Sequence, residues 1–135
     1  MVEGPVCPEC GAILCRDKFE SMLALEFQYP MVFGAVHHVT VICYNLQHPA
    51  AFSEEALAWM RSTLRAIIEE GLTPSELRKW SQKNFRGHVK VLRKVPDKPR
   101  SSEWSMTMAD VHIDDPETYV NDVMEWAKSI LQDIR

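Results

Sequence analysis

Apolar residues return along most of this chain at intervals of three and four, which predicts a mainly helical fold. A first helix is expected over Arg16–Tyr29, with Phe19, Met22, Leu23, Glu26 and Phe27 at helical spacing and Pro30 ending it. A second is expected over Met31–Gln47, stopping at His48-Pro49. Its residues Val32, Val36, Val39, Cys43 and Leu46 form one apolar stripe, while His37, Val41, Tyr44 and His48 return to the opposite side. A helix with two such faces belongs in the middle of the molecule.

The third helix is punctuated at both ends. Ser53 suits the cap, Glu54 and Glu55 suit the positive end of the dipole, and Gly71 suits the stop. Leu57, Met60, Leu64, Ile67 and Ile68 supply its core stripe. Thr73-Pro74-Ser75-Glu76 reads as a capping box that opens a short helix carrying Leu77 and Trp80. After Gly87 the period changes. His88–Val91 and Trp104–Met108 alternate, with Pro96 and Pro99 between them, and predict a small antiparallel hairpin. A last helix opens with Asp115 as cap and Pro116 in its first turn, burying Val120, Val123, Ala127, Ile130 and Ile134. Trp126 shares that core spacing. The expected fold class is mainly α (α+β): a compact helical domain of about five helices with a small β-hairpin and an N-terminal zinc knuckle. The whole chain, 1–135, reads as a single domain made of a knuckle (1–15), a helical core (16–85), an extended region (86–112) and a C-terminal helix (113–135).

Composition leaves this picture in place. Hydrophobic residues make up 46% of the 135 and charged residues 25%, so one packed core is expected and disorder is not. The formal net charge of −4 gives no overall attraction to polyanions. Charge is unevenly spread, however. Nine of the fifteen Lys and Arg residues lie in 76–100, interleaved with Trp80 and Phe85, which makes a nucleic-acid surface one reading of that segment. Eight acidic residues in 103–135 oppose them, and pairing within the molecule or plain solvation is the favoured reading. No apolar run approaches the ~20 residues that span a bilayer, so no membrane association is expected. The N-terminus has neither the basic start nor the apolar stretch of a secretory signal, and a cytoplasmic location is expected.

In a reducing compartment, four cysteines favour metal or redox chemistry over disulfides. Cys7-Pro8-Glu9-Cys10-Gly11 carries the strongest chemical signal. Two intervening residues let a tight turn aim both sulfurs at one cation, and Gly11 tolerates the backbone that follows. Cys15 brings a third thiolate within reach. The fourth ligand expected is His48, at a helix end, with His37 as the alternative three turns earlier on the same face. Cys43 sits in an apolar stripe and reads as a small hydrophobe. The competing readings of Cys7 and Cys10 are free surface thiols or a redox dithiol, although no strand precedes them as in a thioredoxin-like unit.

Cys7-x-x-Cys10-Gly11, Cys15, Glu26, His37-x-Val39-Thr40-Val41, Tyr44-x-x-Gln47-His48-Pro49, Met106–Val111 and Val123-x-x-Trp126-Ala127-x-Ser129 form an ordered series. The series resembles a bacterial family of small proteins classed only as a domain of unknown function. The resemblance spans nearly the whole chain, and implies that Cys7, Cys10, Cys15, His37 and His48 belong to one shared feature. It brings no activity with it.

Three functions follow. The first is a zinc-stabilised binding or adaptor module, for an unidentified protein or small-molecule partner, with a closed shell of protein ligands. The second is a metal-dependent hydrolase that uses His37 and His48 with Asp110, Tyr44 as a donor and Glu26 as a base. The third is a nucleic-acid-binding module acting through 76–100. No phosphate loop, nucleophile elbow or dinucleotide fingerprint is present in the sequence.

Overall fold

In a computed structural model of the protein, the structure describes residues 6–73, 76, 79 and 104–134. Four α-helices lie among them: α1 (Cys15–Gln28), α2 (Pro30–Leu46), α3 (Glu54–Glu70) and α4 (Pro116–Asp133). Short 3-10 turns occupy Pro49–Ala51 and Met108–Asp110.

The expected punctuation operates. Pro30 ends α1 and takes the first position of α2, where its missing N–H costs nothing. Ser53 accepts the Ala56 N–H at 3.1 Å, and Gly71 closes α3 in the left-handed region at φ 68°. Asp115 caps α4 through the Thr118 N–H at 3.1 Å. The capping box after α3 is also formed: Thr73 Oγ1 accepts the Glu76 N–H and Glu76 Oε1 accepts the Thr73 N–H, each at 3.2 Å. Glu76 and Lys79 are helical, and the remainder of that expected short helix, Leu77 and Trp80 included, lies outside the described residues.

α1 is the exception to local control. No side chain caps it, and the residue before it, Leu14, is held left-handed at φ 53°. A non-glycine residue there costs about 1 kcal/mol, so the start of α1 is imposed by the segment before it.

α2 is central, packed against α1, α3 and α4. Phe33, Val36, Val39, Ile42, Cys43 and Leu46 are buried on it, and meet Met22, Leu64, Met60, Val123, Trp126, Ala127 and Ile130 from the other helices. Two expected core positions face solvent instead: Phe27 is 67% exposed and Val32 59%. Both lie by the α1–α2 turn, where no other described helix covers the pair.

The small β-hairpin is not found among the described residues. Its first strand, 88–91, lies outside them; its second, 104–108, forms no ladder, and Met108–Asp110 is a 3-10 turn. Side chains do the work of a partner strand. Gln47 is fully buried; its Nε2 donates to the Met106 carbonyl at 2.7 Å and its Oε1 accepts the Trp126 indole N–H at 3.1 Å. Asp133 takes the Ser105 N–H and hydroxyl, each at 2.8 Å. Alternating residues in 104–108 therefore reflect a segment laid over a core. No described helix is long and apolar enough to cross a membrane.

Replacing Gln47 with Leu keeps the volume but leaves the buried Trp126 N–H without a partner and takes the donor away from the half-buried Met106 carbonyl. The expected loss is about 2–3 kcal/mol of stability, read by chemical denaturation.

Candidate metal centre

The N-terminal segment folds into a knuckle because its backbone closes on itself within eight residues. Val6 and Ile13 form an antiparallel bridge, the Cys7 N–H donates to the Ala12 carbonyl at 2.9 Å, and the Gly11 N–H donates to the Cys7 carbonyl at 2.9 Å. Gly11 adopts φ 81°, and a Cβ added there would meet nothing within 4 Å; glycine is needed for backbone freedom and not for room. Backbone N–H groups then turn toward sulfur: that of Ala12 lies 3.5 Å from Cys10 Sγ.

The left-handed Leu14 sends the chain into α1 with Cys15 as its first residue, so the third thiol faces the same space. His48 arrives from the far end of α2. Its Nδ1 lies 2.7 Å from the Tyr44 carbonyl, which can only accept, so Nδ1 carries the proton and Nε2 presents its lone pair. Nε2 lies 3.5 Å from Cys15 Sγ. The ring is also clamped face to face. Tyr44 stacks on it at 4.1 Å between centroids, and Phe19 stacks on Tyr44 at 3.9 Å with planes 4° apart. Fixing the tautomer and tilt of an imidazole through its other nitrogen is how metal-binding histidines are oriented.

The ligand atoms of Cys7, Cys10, Cys15 and His48 all lie within 4.8 Å of one another, close enough to hold a metal ion. Three sulfurs and one imidazole nitrogen form a donor set suited to zinc. Electrostatics points the same way. Burial pushes the Cys10 thiol up to about 12, with Cys7 and Cys15 adding to it. Burial likewise raises Cys15. At Cys7 burial also acts upward, but N–H groups of Cys10 and Glu9 outweigh it and hold that thiol below its usual value. Three thiolates in so small a space require a cation to be charged together. Burial raises Tyr44 to about 12, with Cys15 next, so its phenol remains a donor beside the sulfur. Glu9 Oε2 is buried with no hydrogen-bond partner, an orphaned acceptor inside the CPEC turn.

The other expected site residues fall elsewhere. His37 is not in the cluster: its Nδ1 bonds Glu26 Oε1 at 2.8 Å, and it stands eleven positions before His48, about 16 Å of helical rise. Asp110 closes the capping box with Thr107. Cys43 is fully buried among hydrophobes, and burial drives its thiol well up. Nearly all of the basic segment 76–100 lies outside the described residues. Sequence reasoning missed Trp104, whose indole N–H donates to the Glu9 carbonyl at 3.2 Å and ties the knuckle to the segment before α4. An isolated tryptophan before a helix gives no sign of a contact 95 residues away. It also missed that Glu26 and Tyr119 meet, although a charged residue at core spacing in α1 was a signal.

Among known families, the one described as "Family of unknown function (DUF5946)" matches residues 5–135. No curated protein and no solved structure matches the chain.

Burial lowers the pKa of His48, so the fold favours its neutral form. Its contribution to stability is complete above the ordinary histidine value of about 6.5 and is lost as pH falls from there through the lower folded value. Metal-free protein should therefore melt at lower temperature as pH drops below about 6.5, and His48→Gln should flatten that slope in a thermal scan. Gly11→Ala, at φ 81°, should lower stability by ~1 kcal/mol of backbone strain, read by chemical denaturation.

Proposed function

The chain belongs to this family of unknown function, and from the cluster itself we propose that it is a zinc-binding protein whose ion is structural. The observation that carries the reading is the convergence of four protein ligand atoms, Cys7 Sγ, Cys10 Sγ, Cys15 Sγ and His48 Nε2, within 4.8 Å. Such a set fills a tetrahedral shell and leaves no position for a reacting water, unlike catalytic zinc with its open site. Thiolates also donate enough charge to quench the ion as a Lewis acid.

On this reading residues 1–135 are one domain, in which zinc fastens a segment with almost no core of its own to α1 and to the end of α2. The product is a rigid module for binding a partner. The knuckle's outer side supports this: Val6 is 61% exposed, and Ile13 and Leu14 are exposed beside it. A hydrolytic centre built from His37 and His48 at one ion has no support, because Glu26 holds His37 three turns away.

Elemental analysis of untagged protein should give one zinc per chain. X-ray absorption at the zinc edge should show three sulfurs at about 2.3 Å and one nitrogen at about 2.0 Å. Cys10→Ser should release the metal and lower the melting temperature. A water oxygen in the shell would overturn the structural role, and unchanged metal content in Cys10→Ser would overturn the ligand set.

A further inference from the structure

A second constellation sits on α2, away from the knuckle. Glu26 of α1 is 2% exposed, and three donors from two other helices converge on its carboxylate. Thr40 Oγ1 lies 2.6 Å from Oε2, the Tyr119 hydroxyl from α4 donates to the same oxygen, and His37 Nδ1 lies 2.8 Å from Oε1. Burial and the neighbouring carboxylate drive the Tyr119 phenol far up, so it stays a donor.

As a fastening for three helices this is an expensive device, since apolar residues of similar volume hold helices together as well or better. The network supplies something that such residues cannot: an imidazole of fixed tautomer at the rim of the core. With Nδ1–H given to the carboxylate, the lone pair of His37 is on Nε2, which has no protein partner among the described residues. The side chain keeps 28% of its surface exposed. A carboxylate that holds an imidazole so that its far nitrogen faces outward is the arrangement of a general base.

The surroundings define what such a base would meet. Side chains lean toward the N-terminus of their helix, so His37 overhangs the turn that carries Gly34. A Cβ at Gly34 would meet nothing within 4 Å, which leaves that turn open. The Phe27 ring stands 5.0 Å from the imidazole on the α1 side, and Met31 is 96% exposed at the start of α2. From Phe19 to Leu46 there is neither Lys nor Arg; the cations of α1, Arg16 and Lys18, lie in its first turn, at the end away from Glu26, so the chain around the imidazole offers an anion no cationic partner. The one group of metal-ligating side chains found among the described residues is three turns away.

We propose that His37 is a general base in hydrolysis of a neutral ester with an apolar body, and that Glu26 is its positioning residue. Nε2 takes a proton from water as the water oxygen bonds to the ester carbon and the carbonyl electron pair moves onto its oxygen. When that pair returns, the bond to the alcohol oxygen breaks and the imidazolium gives its proton to the departing oxygen. Nδ1–H stays on Glu26 throughout, and water plus ester become acid plus alcohol.

The probe is p-nitrophenyl acetate with the full, metal-loaded chain. Wild-type protein should exceed an equal concentration of free imidazole. His37→Gln, whose amide still donates to Glu26 and preserves the fold, should cut the rate by about 100-fold at an unchanged melting temperature. Added imidazole should restore turnover to His37→Ala. Glu26→Gln should lower kcat at constant KM, and His38→Gln should match wild type. Wild-type turnover no faster than free imidazole overturns the proposal, and so does a folded His37→Gln with the wild-type rate.

Discussion

The fold depends most on the double engagement of the His48 ring. One nitrogen belongs to helix α2, through the Tyr44 carbonyl, and the other belongs to the knuckle, through Cys15. The knuckle adds Cys10 and Ala12 to the core and little else, far too few apolar groups to hold a segment in place by burial alone. Its attachment therefore rests on polar contacts, His48 with Cys15 and Trp104 with Glu9. Because the ring can rotate only by losing the Tyr44 hydrogen bond and the aromatic stack, its Nε2 is held toward the sulfur by the protein alone. Pre-aimed donors lower the ordering cost of binding, and the same rigidity transmits the knuckle's position to the first turn of α1.

Much of the helical plan was legible in the sequence, because it is written in local chemistry. Ser53, Gly71, Asp115, Pro116 and the Thr73–Glu76 box act on neighbours three or four residues away, so spacing alone reveals them. The cysteine spacing was legible for the same reason; His48 was legible as a histidine at a helix end, although its meeting with Cys15 spans 33 residues. Features that needed tertiary knowledge were not. Alternation in 104–108 imitates a strand, yet its backbone is satisfied by Gln47 and Asp133, residues remote in sequence. Val32 and Phe27 carry core spacing but sit where no described helix arrives to cover them. His37 shares a face with His48, and a helical face is long enough to serve two sites; periodicity gives direction around the axis but not company along it.

α2 thus has a division of labour along its length. Near its C-terminal end, Tyr44 and His48 present neutral, stacked rings to sulfur. Near its middle, His37 and Thr40 meet a buried carboxylate from α1 and a phenol from α4. Both arrangements pin α1 to α2, one at each end of α1: Cys15 at its first residue and Glu26 near its last. A helix secured at both ends needs little hydrophobic stripe between them, which accords with Met22 and Glu26 being the only fully buried positions on α1.

The contacts that complete the knuckle run backwards relative to synthesis. Cys7, Cys10 and Cys15 are made before their partners, since His48 follows 33 residues after Cys15, and Trp104 follows 95 residues after Glu9. Until α2 has been made, three thiols stand without the imidazole that meets them in the fold, open to oxidants. Only when α2 has emerged can His48 reach Cys15, and only after a further long stretch of chain can the Trp104 indole reach the Glu9 carbonyl. The order of residues makes the knuckle wait for contacts that are made after it.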